Sequence, residues 1–338
     1  MRILLPIALI ASTFAAPVVL TLGGMEGENV ITIKATVNNS LSDTATTVYS
    51  GTIEIDLTVI ADEATTFEMT GGKIFATDTI FLFEIENFFS QTVTFESLTA
   101  TPVSPSGPEI RSPPGQFSAP AHYLLFNQGC LVSEGSFGNS KTLVQDDPFP
   151  AAGSTMGTIT PGPVEEIQSS ITNEVIATSR LIELVLPLNS TATSGDEDFT
   201  LATETTGTVT AAGTLLEFTH PFFEWATANA PLAGTAISFT TDADHDGQQD
   251  GISWALGFAA GASSKNIQPI DHSLTGELTF DLPGPTRRAL TLQKSATLSA
   301  DDWSPVAGYD PIPAGTTGAL TLPLDDGTTF YRFTATPD

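Results

Sequence analysis

Ile31-Thr-Ile-Lys-Ala-Thr-Val37 and Ile53-Glu-Ile-Asp-Leu-Thr-Val59 alternate apolar and polar residues without a break. Successive side chains of an extended chain point to opposite faces, so Ile31, Ile33, Ala35 and Val37 share one face and Thr32, Lys34 and Thr36 the other. Ile53, Ile55, Leu57 and Val59 repeat the scheme against Glu54, Asp56 and Thr58. These are half-buried strands. The same period continues through Ile80–Ile85, Thr92–Phe95 and His122–Phe126, through Ile182, Leu184, Leu186 and Leu188, and through 207–219. Threonine is abundant along these runs, which suits a pleated surface better than a helix.

Between the strands, Gly71-Gly72 reads as punctuation and Asp146-Asp147-Pro148 as a turn. Pro102, Pro105, Pro108, Pro113, Pro114 and Pro120 crowd one stretch, which reads as a long surface loop because a central strand cannot carry them. In 164–177, Ile167, Ile171 and Val175 have helical spacing, but Thr172-Asn173-Glu174 offers a turn. A hairpin is favoured, because Val175 runs on into Ile182 and Leu184 at strand period. The expected fold is all-β, with a large antiparallel sandwich or jelly roll over 16–238.

Met1-Arg2 followed by Ile3–Ala11, with Thr13-Phe14-Ala15 offering small residues at a cleavage site, reads as a signal peptide over 1–15. No later run approaches the ~20 apolar residues of a spanning helix, so the expectation is an exported protein, secreted or at the cell surface. Thirty-nine acids against eleven bases give −28, which argues against nucleic acid and anionic membranes as partners. Divalent cations and basic partners suit that field. Only 15% of residues are charged while 41% are hydrophobic, so the chain can build a core. Cys130 is the single cysteine: no internal disulfide forms, and a buried small residue is expected there.

One stretch carries a specific chemistry: Asp242-Ala-Asp-His-Asp-Gly-Gln-Gln-Asp-Gly-Ile-Ser253. In a calcium loop, oxygens at positions 1, 3, 5, 7 and 9 converge on one ion and a glycine at 6 allows the sharp turn. Counted from Asp242, these positions hold Asp242, Asp244, Asp246, the carbonyl of Gln248 and Asp250, with Gly247 at 6. Position 12, where a bidentate Glu is expected, holds Ser253, so the expected calcium site is weak. A short helix follows, with Ile252, Ala255, Leu256 and Ala259 on one face, and the loop and helix together occupy 239–262. A small β-sandwich module fills 263–338: Leu278–Phe280 and Leu290–Leu292 alternate, and Leu320, Leu322 and Leu324 lead through Asp326-Gly327, a hairpin signal, into 329–334.

The loop resembles the aspartate loops of thrombospondin type 3 repeats and dockerins, and Trp254-Ala-Leu-Gly257 is similar to the Tyr-Ala-Leu-Gly that closes such loops in many large secreted bacterial proteins. In those a small β module follows with a Leu-Ser-x-x-Trp-like stretch, which Leu298-Ser-Ala-Asp-Asp-Trp303 and Phe330-Tyr-Arg-Phe333 resemble. The likeness spans about 240–335 and implies a calcium-clipped C-terminal module. The N-terminal two-thirds resemble, more loosely, the Thr- and Gly-rich β domains of PEP-CTERM-type exported proteins.

No G-x-S-x-G, H-E-x-x-H, Walker A or dinucleotide fingerprint stands in its required context, and His122, His220, His245 and His272 lack partners at metal-ligand spacing. Asp196-Glu197-Asp198 reads as a solvated turn rather than a glycosidase pair, since neighbours in sequence rarely sit across a scissile bond. The chain is therefore expected to be non-catalytic, a structural or adhesive β protein with a possible surface-protein partner. The alternative is a carbohydrate-binding protein, or a glycan-cleaving enzyme, using the aromatic stretch Pro221-Phe-Phe-Glu-Trp225 with His220 or the proline-rich loop of 102–120.

Overall fold

The computed structural model describes residues 16–23, 28–85, 88–104, 109–110, 115–136, 138–144, 147–150, 156–195, 200–229, 237–242, 249–258, 271–272, 277–323 and 329–335. The expected signal segment 1–15, the acidic turn 196–198 and the expected hairpin turn at 326–327 lie outside the described residues.

The chain is all-β. Its first strands are β1 (Ala16–Leu22), β2 (Val30–Val37), β3 (Leu41–Ile60), β4 (Glu63–Ala76), β5 (Thr79–Ile85), β6 (Phe89–Val103), β7 (Glu109–Ile110) and β8 (Gln116–Ser118). β9 (Tyr123–Gly135), β10 (Ser140–Leu143), β11 (Asp147–Pro150), β12 (Met156–Pro161), β13 (Glu165–Gln168), β14 (Val175–Gly195) and β15 (Thr200–Phe218) follow. Ladders join these fifteen strands in the order β10-β9-β6-β4-β3-β1-β15-β14-β12-β8, with β2, β5, β7, β11 and β13 pairing off that path. In this β-sandwich-like assembly β3 runs antiparallel to β1, β2 and β4, β2 to β15, and β6 to β9.

By chain contacts the protein divides into two compact units, Met1–Val164 with Arg180–Leu215, and Glu165–Ser179 with Leu216–Asp338. The strand pattern of the sequence runs through 16–238 as one expected domain. Residues 165–179 and 216–238 instead group with the C-terminal part, because Ile176, Phe222, Phe223, Trp225 and Ile237 belong to its hydrophobic core.

In the first unit the alternation works as the pleat requires. Ile31, Ile33, Ala35 and Val37 are buried, as are Ile53, Ile55 and Leu57, while Lys34, Glu54 and Thr44 face solvent. The turns that set register use left-handed backbone: Asn38 and Asn39 at φ 46° and 56° join β2 to β3, and Ala61-Asp62 at 51° and 65° joins β3 to β4. Gly71-Gly72 is not a break between strands. It sits inside β4 at a register shift opposite Glu54/Ile55, where Gly72 (φ 112°) brings its backbone against Thr52 and Ile53 so closely that a Cβ would meet Thr52 O at 2.4 Å. Of the expected turn Asp146-Asp147-Pro148, Asp147 and Pro148 lie in a strand, β11, paired with β9, and Asp146 lies outside the described residues.

Of the proline-rich stretch, Pro105, Pro108, Pro113 and Pro114 lie outside the described residues, while Pro102 and Pro120 stand in ordered elements. β6 runs through Pro102 to Val103, and Phe117 of β8 and Ala119 are buried in the core. Cys130 is buried, at 7% exposure.

The second unit contains the expected hairpin, in which β13 pairs antiparallel with 175–179. It continues through α1 (Pro221–Asn229), α2 (Asp250–Ala255), β16 (Asp271–His272), β17 (Glu277–Asp281), β18 (Thr291–Ser295), β19 (Ser304–Pro305), β20 (Ala319–Pro323) and β21 (Phe330–Thr334). The strands form two three-stranded sheets, β16-β17-β20 and β19-β18-β21. β20 and β21 therefore belong to different sheets and do not pair as the hairpin that Asp326-Gly327 signalled. One core, including Leu278, Phe280, Leu292, Leu320 and Leu322, joins their buried residues to α1 and α2.

Candidate functional site

The aspartate loop leaves the core at Thr241 and returns at Asp250, and these two residues pin its ends together. Asp250 N–H donates to Thr241 O at 2.6 Å. Thr241 Oγ1 lies 2.7 Å from Asp250 Oδ2 and 2.6 Å from Ser238 O, sharing its one hydrogen between them. Gly251 N–H adds a bond to Phe239 O at 3.1 Å. Gly251 has no room for a side chain, since a Cβ would meet Phe239 O at 2.6 Å.

Asp242 and Asp250 thus stand at the two feet of a closed loop, both half-buried. Asp244, Asp246, Gln248 and His245 lie outside the described residues, so of the expected ligand set the structure positions only the two ends. Ser253, in the place of the bidentate Glu, is 1% exposed inside α2. Among the described residues no group of three or more His, Cys, Asp or Glu is arranged to hold a metal.

The far end of α2 is anchored just as firmly. Ala255 and Leu256 are fully buried, and Gly257 adopts φ 90°, ending the helix as a left-handed cap does. Its backbone presses on Gly284 and Pro285, where a Cβ would meet Pro285 O at 2.5 Å. Arg287 then adds donors at the carbonyls of the helix end: its guanidinium donates to Trp254 O at 3.0 Å, which also accepts Gly257 N–H at 3.0 Å, and to Phe258 O at 2.8 Å, and its backbone N–H donates to Ala255 O at 2.9 Å. Trp225 Nε1 of α1 donates to the same Phe258 O at 2.9 Å. The Trp254-Ala-Leu-Gly257 stretch is thus a structural joint. Nothing in the spacing of the sequence singled out Arg287.

The aromatic stretch 221–225 is core rather than an exposed platform. Pro221 opens α1, with His220 before it accepting Phe222 N–H on Nδ1 at 3.0 Å and Phe223 N–H on its carbonyl at 3.0 Å. Phe222 and Phe223 are 0% and 2% exposed, and Phe222 stacks on Phe239 at 4.1 Å between ring centres. Edges of Phe223, Phe239 and Trp254 enclose the His220 ring.

Other polar groups have structural positions. His122 is fully buried between Phe67 and Phe117, and its Nδ1 lies 2.6 Å from Ser104 Oγ, which also accepts Met69 N–H at 2.8 Å. Burial raises the Tyr49 phenol above its ordinary range. In the Leu298–Trp303 stretch, Asp302 Oδ2 lies 2.9 Å from Ser295 Oγ, from Thr297 Oγ1 and from the N–H groups of Ala296 and Thr297. These bonds, the one from Ser295 first, hold the Asp302 carboxyl below its ordinary range. Trp303 beside it lies under the Arg332 guanidinium at 4.1 Å. No helix among the described residues is long and apolar enough to cross a membrane. No protein-family model, curated protein or solved structure matches the chain.

Proposed function

We propose that this chain is a non-catalytic, exported β protein, structural or adhesive, in which the 242–250 loop takes a calcium ion and stiffens the entry into the C-terminal β module. The observation that carries this reading is the double anchorage of the loop segment. Thr241 and Asp250 close the loop at its feet, and Arg287, Trp225 and Gly257 lock the helix that follows. An ion held by Asp242, Asp244, Asp246, Asp250 and the carbonyl of Gln248 would act on a segment already tied to both sides of one core. The −28 charge favours divalent cations in general and is relieved by binding one.

Tryptophan fluorescence tests the proposal, because all three tryptophans, Trp225, Trp254 and Trp303, belong to the second unit. An ion that binds only the folded chain stabilises it by about 1.4 kcal/mol at ten times its dissociation constant. The thermal transition should rise between EDTA and millimolar calcium, and Asp244→Ala or Asp246→Ala should abolish the rise. Identical transitions in the two buffers would contradict it.

A further inference from the structure

We propose that the outward face of β5, β6, β9 and β10, in the first unit, binds a cationic amphipathic polypeptide segment. The registers place Ile80 opposite Thr94, Thr94 opposite Val132 and Val132 opposite Lys141, with Leu82, Thr92 and Glu134 in the next row. The alternate residues Phe81, Phe83 and Val93 turn inward and are buried. Parity therefore leaves Ile80 and Leu82 outside, at 62% and 48% exposure, and Leu143 of β10 is 65% exposed. Single exposed apolar residues are ordinary, but here they border a face on which carboxylates outnumber the single lysine.

Glu84 and Glu134 are exposed on that face, and its one lysine, Lys141, already sits 3.8 Å from Glu96. β5, β6 and β9 contain no Lys or Arg. The face thus offers aliphatic contact flanked by uncompensated carboxylates, which is complementary to a segment alternating basic and apolar side chains. A second copy of this chain fits poorly, because it would set carboxylates against carboxylates, and an anionic lipid surface fails for the same reason. Leu82 N–H donates to Asp43 Oδ2 at 2.8 Å, closing the edge of β5 at that point to strand addition and directing a partner across the face.

The test is fluorescence anisotropy of the full chain with a labelled alternating Lys–Leu peptide. Ile80→Ser with Leu82→Ser should weaken binding about tenfold or more, and an alternating Lys–Ser peptide of equal charge should bind wild type as weakly. Val19→Ser, at an exposed position on β1, should change nothing. Glu84→Gln with Glu134→Gln, which leaves the apolar contact intact, should also weaken the Lys–Leu peptide. Equal binding of the two peptides, or equal binding by wild type and the serine variant, would overturn the proposal in favour of the net charge alone. A dimer in sedimentation that Leu82→Ser dissolves would overturn it in favour of self-association.

Discussion

Replacing Arg287 with alanine should loosen the second unit while leaving every buried side chain of its core in place. The guanidinium donates to Trp254 O at 3.0 Å and to Phe258 O at 2.8 Å, and both bonds would be lost. Hydrogen bonds to a charged group contribute about 1.5–3 kcal/mol each when well shielded. Arg287 is exposed, so water replaces part of what each carbonyl loses, and about 0.5–1 kcal/mol per bond is the appropriate scale. The backbone bond from Arg287 N–H to Ala255 O survives any non-proline substitution. The sum is about 1–2 kcal/mol, a fall of roughly 3–8 °C in the transition of this unit. Tryptophan emission follows that transition, because Trp225 and Trp254 flank the joint itself. Arg287→Lys can satisfy one carbonyl with a point charge and should recover about half the loss. An Arg287→Ala transition within about 1 °C of wild type would refute the joint.

Three further substitutions probe separate links. Thr205 Oγ1 is fully buried and meets no hydrogen-bond partner among the described residues, so Thr205→Val should stabilise by about 1 kcal/mol in calorimetry; destabilisation would show that the hydroxyl has a partner. Because Asp302 titrates below its ordinary range when folded, its stabilisation is present above that range and disappears as pH falls through the folded value. The gap in melting temperature between wild type and Asp302→Asn should therefore close on acidification, and a gap independent of pH would contradict the bonding described. Phe222→Ala should cost about 3–5 kcal/mol through the cavity it leaves, visible as a lower denaturant midpoint, whereas an unchanged midpoint would mean that the ring is not core.

Strand identity was legible wherever one face is buried, because burial imposes a two-residue period: Ile31 to Val37 and Ile53 to Leu57 show it directly. Gly71-Gly72 misled because a glycine pair that permits a bulge looks the same in sequence as one that ends a strand. Partner choice was not legible either. Whether β20 pairs with β21 or with β17 is decided by packing across the module, and the turn signal at 326–327 speaks only to local geometry. The aromatic run 222–225 could be weighed but not placed, since surface rings and core rings share a composition. Of the candidate site, the aspartate spacing was readable, whereas its supports were not. Thr241 and Arg287 act through backbone carbonyls and a single carboxylate brought near by folding, and no periodicity encodes such contacts.

The central claim is that the 242–250 loop takes calcium, and calorimetric titration of the chain with calcium tests it most directly. One ion per chain, with weak affinity reflecting Ser253 in place of a glutamate, and no heat from the Asp244→Ala with Asp246→Ala variant, is the predicted result. Absence of calcium binding by the wild-type chain, or undiminished binding by the variant, would contradict it.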